Sequence, residues 1–159
     1  MNFASDNVTG VAPEILQAIA AANGPVAAAP YGDDDISQGL DALFSELFEA
    51  DCQVFPVATG TAANALSMSV MSPPFGAIYC LSHSHANADE CGAPEFYTAG
   101  AKLIPIKGEN GKLTRSLFDQ ALAEQGPAHG VHTVQPAGVS VTQATEMGTV
   151  YAPEEMREL

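Results

Sequence analysis

Short apolar runs that alternate with helical stretches constrain this chain more than any other feature. Residues 52–57 form a run of strand type, which passes through Thr59-Gly60-Thr61 into a helical stretch at 62–71. Pro73-Pro74 ends that helix, and 77–81 form a second run with the apolar continuity of a strand buried on both faces. A third run follows at 102–106, then a helix opened by Thr114 that carries Leu117, Phe118, Ala121 and Leu122 on one side. Strands alternating with helices in this way predict a three-layer α/β fold, a mostly parallel sheet with helices on both faces.

The remaining segments fit around that frame. The opening to Thr9-Gly10 reads as an irregular arm, with Asp6-Asn7 as a turn or capping pair. Pro13 suits a first helical turn, and 14–22 continue as helix until Asn23-Gly24 stop it. The connection to Pro30 is Ala-rich and Pro-punctuated, and the adjacent carboxylates Asp33, Asp34 and Asp35 make a solvated loop. Ser37 is the expected N-cap of the clearest helix, whose Leu40, Leu43, Phe44, Leu47 and Phe48 fall on one stripe. Gly108-Glu109-Asn110-Gly111 is a turn, and 130–135 and 138–142 are strand-like with Pro136 between them. Pro153-Glu154-Glu155 opens a last helix that has a good start and no C-cap, so the chain is expected to be the front part of a longer protein.

Composition removes whole classes of function. Five basic against 19 acidic side chains give these 159 residues a formal charge of −14 and a pI near 4.2. So few cations do not neutralise a phosphate backbone; no nucleic-acid partner is expected, and an anionic membrane surface is equally disfavoured. No window approaches the roughly 18 apolar residues of a membrane span. Met1-Asn2-Phe3-Ala4-Ser5-Asp6 lacks the basic and apolar regions of a secretory signal. The cysteines, Cys52, Cys80 and Cys91, are odd in number and suit a reduced, cytoplasmic setting, with Cys52 in the core.

Two polar clusters follow apolar runs, at the strand ends where open α/β sheets bind ligands. In Thr59-Gly60-Thr61-Ala62-Ala63-Asn64, successive amides at a helix start, with hydroxyls and a glycine, make an anion site suited to phosphate. An ordinary capped turn has the same pattern, and no nucleotide P-loop or dinucleotide glycine fingerprint is present. The second cluster is Cys80-x-x-His83-x-His85, followed by Asp89, Glu90 and Cys91. It reads in three ways: a zinc site using Cys80, His83, His85 and Cys91; an acid–base or cofactor-stacking imidazole; or plain surface histidines. His129 and His132 read as strand-edge residues, and Lys102, Lys107 and Lys112 lack the buried setting of a covalent catalyst.

Taken in order, Ser5-Asp6-Asn7-Val8-Thr9, Tyr31-Gly32-Asp33-Asp34, Thr59 to Asn64, Ser84-His85 with Glu90, and Glu109 to Thr114 resemble the N-terminal half of the threonine aldolase and β-eliminating lyase family. The resemblance implies the aspartate-aminotransferase type of fold, pyridoxal 5′-phosphate as cofactor, and cleavage of β-hydroxy-α-amino acids such as threonine to glycine and an aldehyde. It implies that Gly60, Thr61 and Ala62 cradle the cofactor phosphate, and that His85 stacks on its ring near the substrate hydroxyl. His83 becomes a second imidazole beside it, Ser5 a ligand of the substrate carboxylate, and Tyr31 a contributor across a dimer interface. The domain division that follows is an arm and helix at 1–30 and the first part of the cofactor domain at 31–159, in a homodimer or homotetramer when full length. Ser140-Val141-Thr142-Gln143 departs from the family pattern, because Gln143 stands where relatives carry a histidine and is no general base. The family's Schiff-base lysine, the aspartate at the pyridine nitrogen and the carboxylate-binding arginines belong to motifs beyond Leu159, and neither Arg115 nor Arg157 matches them. The chain alone is therefore expected to be inactive; the competing expectations are a non-catalytic fragment and the zinc module.

Overall fold

The computed structural model describes residues 8–125 and 127–159, so Ser5 and the Asp6-Asn7 pair lie outside the described residues. Strand β1 (Gly76–Leu81) is buried along its whole length. Its residues alternate between two apolar clusters. Ala77, Tyr79 and Leu81 pack with Ile104, Ile106 and Leu113 on one face, against Leu117, Phe118, Ala121 and Leu122. Ile78 packs with Met68 and Ala86 on the other. A strand without a wet face must be covered twice, which is why helices lie on both sides.

The chain divides into two compact units, at Phe55 and Pro56. The second carries α4 (Gly60–Met71), β1, α5 (His85–Ala88), α6 (Ala93–Tyr97), β2 (Lys102–Ile106), α7 (Arg115–Gln125), β3 (Gln135–Val139) and α8 (Pro153–Glu158), in that order. The sheet is parallel, in the order β2-β1-β3. α4 covers one face through Met68, and α7 covers the other, as the three-layer expectation required. Pro105 and Pro136 both lie in strands that pair on one side only, where a missing N–H is tolerated. The register shift between Ala77 and Ile78 leaves Ala137 as the extra residue beside Pro136.

The first unit carries α1 (Pro13–Ala22), α2 (Asp35–Gln38) and α3 (Leu40–Phe48). Ser37 is not the cap of the striped helix. Asp34 caps α2 instead, accepting from Ser37 N at 2.9 Å and from Ser37 Oγ at 2.7 Å, which holds its carboxyl below the usual range. α3 starts after Gly39. Two further expectations fail for a shared reason, that a strand needs a ladder. Residues 52–57 join no ladder; Cys52 N donates to Ser45 Oγ and Val54 N to Asp41 Oδ1, so side chains on α3 take the donors a strand partner would. Residues 130–135 are not a strand either. Pro127–His132 is a 3₁₀ segment kinked at Gly130, which places positions 129 and 132 in that turn rather than on a strand edge, and pairing starts only at Gln135. It stops at Val139, short of the expected 142.

The turn at 108–111 is a two-residue hairpin. Glu109 and Lys112 exchange backbone hydrogen bonds at 3.0 and 2.9 Å, and Asn110 and Gly111 take φ of 52° and 75°. Asn-Gly is the pair that tolerates two left-handed residues in succession. Gly108, just before it, has no room for a side chain, since a Cβ there would meet Leu81 and come within 2.5 Å of the Lys112 carbonyl oxygen.

Tyr79 packs edge-on against Phe118, with ring centroids 5.3 Å apart, and its hydroxyl is buried with no partner among the described residues. An unsatisfied buried hydroxyl costs about 1–3 kcal/mol. Tyr79→Phe is therefore expected to leave stability unchanged or raise it by about 1 kcal/mol, whereas Tyr79→Ala should lower it by about 3–5 kcal/mol. Urea unfolding midpoints of the two variants check the contrast.

Candidate functional site

Helix α4 runs into β1 through a tight connection, so its first turn stands at the same end of the sheet as the carboxyl end of β1. That end is built from Thr59 upward. Thr59 has extended backbone and its Oγ1 accepts from Ala62 N at 3.1 Å, while its carbonyl accepts from Ala63 N at 3.1 Å. The amides of Gly60 and Thr61 meet no acceptor among the described residues. Nothing lies within 4 Å of a Cβ built at Gly60, and no acid occupies the first turn. Two unpaired amides, a neighbouring hydroxyl and the positive end of a twelve-residue helix make an open anion cradle. The Ala62 amide is already engaged by Thr59, so its contribution is the backbone path rather than a free donor.

The polar segment after β1 folds back over that turn. Ser84 is buried and precedes α5, and His85 opens it. His85 Nδ1 lies 2.9 Å from Glu90 Oε1, and Asn64 Nδ2 of α4 donates to the same oxygen at 2.7 Å. Glu90 is 4% exposed, whereas the His85 side chain is 57% exposed. The Glu90 hydrogen bond holds the His85 pKa above its usual 6.5 against partial desolvation, with Glu90, Asp89 and Glu146 adding charge in the same sense. The Glu146 carboxylate, from the segment after β3, also accepts from the His85 backbone N–H at 2.9 Å. His83 is exposed, with its Nδ1 3.1 Å from Ser82 Oγ.

One carboxylate thus gathers His85 and Asn64, and through Asn64 the cradle helix. Sequence reading singled out His85 but missed what Glu90, Asn64 and Glu146 do. Their signal was faint, since a glutamate five residues past a histidine in a polar segment ordinarily faces water. Tyr31, in the first unit, is fully exposed at φ 63° and precedes Gly32 at φ 86°. Gln143 is held as an acceptor, its Oε1 taking the Tyr151 N–H at 2.6 Å.

The zinc expectation is overturned. Among the described residues no three His, Cys, Asp or Glu groups converge as a metal-ligand set. Cys80 lies inside β1 with no exposure and a thiol pushed up by burial, whereas His83 and Cys91 are exposed. Both faces of β1 are covered, so the Cys80 thiol is closed off from the water that a loop ligand shares. A separate open cavity of about 560 Å³ is lined by Glu109, Asn110, Lys112, Thr114 and Glu155 among others. Lys112 there is already bound by both Glu155 oxygens, at 2.9 and 2.7 Å, so that cavity offers an anion little.

Fold and site together define an α/β protein with a helix-terminal anion cradle beside a carboxylate-backed imidazole. The chain belongs to the β-eliminating lyase family, whose model matches residues 2–159. It is 43% identical over 158 residues to the low specificity L-threonine aldolase of Pseudomonas aeruginosa, and 42% identical to that of another Pseudomonas strain. Each match covers 99% of this chain, which spans 44% of each relative's length. A solved structure of Leishmania major threonine aldolase superposes with a TM-score of 0.83 at 29% identity, over 95% of this chain and 43% of that one. No helix among the described residues is long and apolar enough to cross a membrane.

Two outcomes follow from this geometry. Thr59→Ala removes the cap of α4 and should cost about 0.5–2 kcal/mol, read from urea unfolding. His85 carries a raised folded-state pKa, so its pairing adds stability below its unfolded value of 6.5 and loses it as pH rises through the folded value. Stability should therefore fall as pH rises past about 6.5, by less than about 1 kcal/mol because the ring is half exposed, and the slope should vanish in His85→Asn.

Proposed function

We propose that this chain supplies part of the cofactor domain of a pyridoxal 5′-phosphate-dependent aldehyde-lyase that cleaves L-threonine or L-allo-threonine to glycine and acetaldehyde. The carrying observation is the single Glu90 oxygen shared by His85 and the cradle helix. The residues fit the cofactor. Gly60 and Thr61 offer two free amides with open space where a side chain would stand, and no nearby carboxylate opposes a phosphate in that turn. His85 presents a half-exposed ring that can cover an aromatic face.

The bound cofactor supplies an electron sink for the Cα electrons. Every other part of the task falls to protein groups. Gly60 and Thr61 bind the phosphate through their amides, with Ala62 completing the turn. His85 covers the ring and, with its pKa raised above 6.5 by the Glu90 hydrogen bond, takes the proton of the β-hydroxyl at Nε2. His83 is the second imidazole, exposed two residues before His85. Ser5 binds the substrate carboxylate, and Tyr31 is contributed near the substrate from a partner copy, which is the homodimer or homotetramer of this reading. Gln143, already committed to Tyr151, carries no proton.

Residues 1–30 are then an arm and helix, and 31–159 the first part of the cofactor domain, in a cytoplasmic protein. An odd number of cysteines, three in this sequence, suits that compartment better than a disulfide scaffold. Lys112 is held by Glu155, and Lys102 opens β2, at the strand end opposite the site. Lys107, which follows β2, lines a cleft with α7 on the sheet face away from α4, so none of the three lysines belongs to the cradle, and we infer that the chain is inactive alone.

Titrating the 159-residue chain with pyridoxal 5′-phosphate, followed by cofactor fluorescence, should give weak saturable binding that Gly60→Asp abolishes. No glycine or acetaldehyde should form from L-threonine. Binding indifferent to Gly60→Asp, or aldol cleavage by the chain alone, would overturn the reading.

A further inference from the structure

Glu90 is costly where it stands. Its side chain has no exposure, one oxygen serves Asn64 and His85, and the other, Oε2, is buried without a partner among the described residues. A half-satisfied buried carboxylate destabilises a fold, and an apolar residue of similar size packs there at less cost. Packing therefore does not account for it, and its contacts do. Oε1 already accepts the Asn64 amide, and a carboxylate offers lone pairs only, so the His85 Nδ1 facing it must carry the proton. That leaves the Nε2 lone pair on the exposed side of the ring.

We propose that Glu90 is a positioning residue, holding His85 in the Nδ1–H tautomer with Nε2 free to accept a proton, and tying that ring to the cradle helix through Asn64. The catalytic relevance of Nε2 rests on the function proposed above; the tautomer and the tether rest on geometry alone. The arrangement has the logic of a nucleophile's or base's orienting carboxylate, in which the third group fixes the ring and stabilises its protonated form. Asn64 projects from the second turn of α4, whose first turn carries Gly60 and Thr61. One carboxylate thereby sets where the imidazole stands relative to the anion cradle. The other charged groups around His85 are Asp89 at the end of α5 and Glu146 after β3, with His83 two residues before it. Asp89 and Glu146 favour the protonated ring through space, but neither bonds a ring nitrogen, so neither selects a tautomer.

The test is imidazole nitrogen NMR on the whole 159-residue chain across its pH titration. The unmodified chain should show His85 as Nδ1–H above its midpoint, with that midpoint above 6.5. Glu90→Gln keeps shape and removes charge; the midpoint should drop by roughly half a unit or more while the amide spectrum stays folded. Asn64→Ala should keep the raised midpoint but broaden the His85 ring signals as the tether is lost. A purely structural Glu90 would instead lower stability and leave the midpoint where it was, and that result in a folded Glu90→Gln chain would overturn the proposal. If Glu90→Gln does not fold, the unmodified chain still decides, since an Nε2–H ring there refutes it. Cofactor binding, measured separately, distinguishes the two readings: an Nδ1–H ring in a chain that does not bind pyridoxal 5′-phosphate sinks the function and leaves the positioning role intact.

Discussion

Burial of β1 on both faces is the constraint from which the rest of the second unit follows. A strand with no wet side has to be covered by two layers, and the chain supplies α4 before it and α7 after β2. Because α4 feeds β1 through a short turn, the two run in opposite directions, and the helix start arrives beside the strand end. That places unpaired amides next to the first residues free of the sheet. The cradle and the imidazole are neighbours because of topology, not because the loop sequences seek each other.

Within that edge, one buried carboxylate does the local organising. Glu90 collects a donor from the helix and a donor from the ring, while Glu146 holds the backbone of the same histidine from the segment after β3. Two segments distant in sequence therefore meet at the His85–Glu90 segment, α4 through Glu90 and the segment after β3 through the His85 backbone. The long-range pair that ties the last helix to the hairpin works differently. Glu155 accepts from Lys112 and reaches back to the Ala152 N–H, which pulls its carboxyl below the ordinary range. That contact is exposed and screened by solvent, whereas the Glu90 contacts are part-buried around a carboxylate with no exposure of its own.

The lengths and positions of β1 and β2 were readable because their pattern is local. The run at 102–106 coincides with β2, and 77–81 lies within β1. Errors arose where ladder partners decide. Residues 52–57 are apolar enough for a strand but give their N–H groups to Ser45 and Asp41. Residues 130–135 have strand-like composition, yet Gly130 bends and pairing waits for Gln135. The capping error is local instead: Ser37 and Asp34 both have side chains that suit an N-cap, and only the hydrogen bond shows that Asp34 takes Ser37 itself.

From its residues alone, the chain determined an α/β alternation, an acidic surface, and two polar clusters at the ends of apolar runs. Periodicity and composition act over a few neighbours, which is why they survive without coordinates. Tertiary structure decided which of those clusters are joined, which amides stay unpaired, and that a glutamate is buried to hold a histidine ring. The joining of the clusters depends on hydrogen-bond partners 26 and 61 residues apart, and no local pattern encodes such distances.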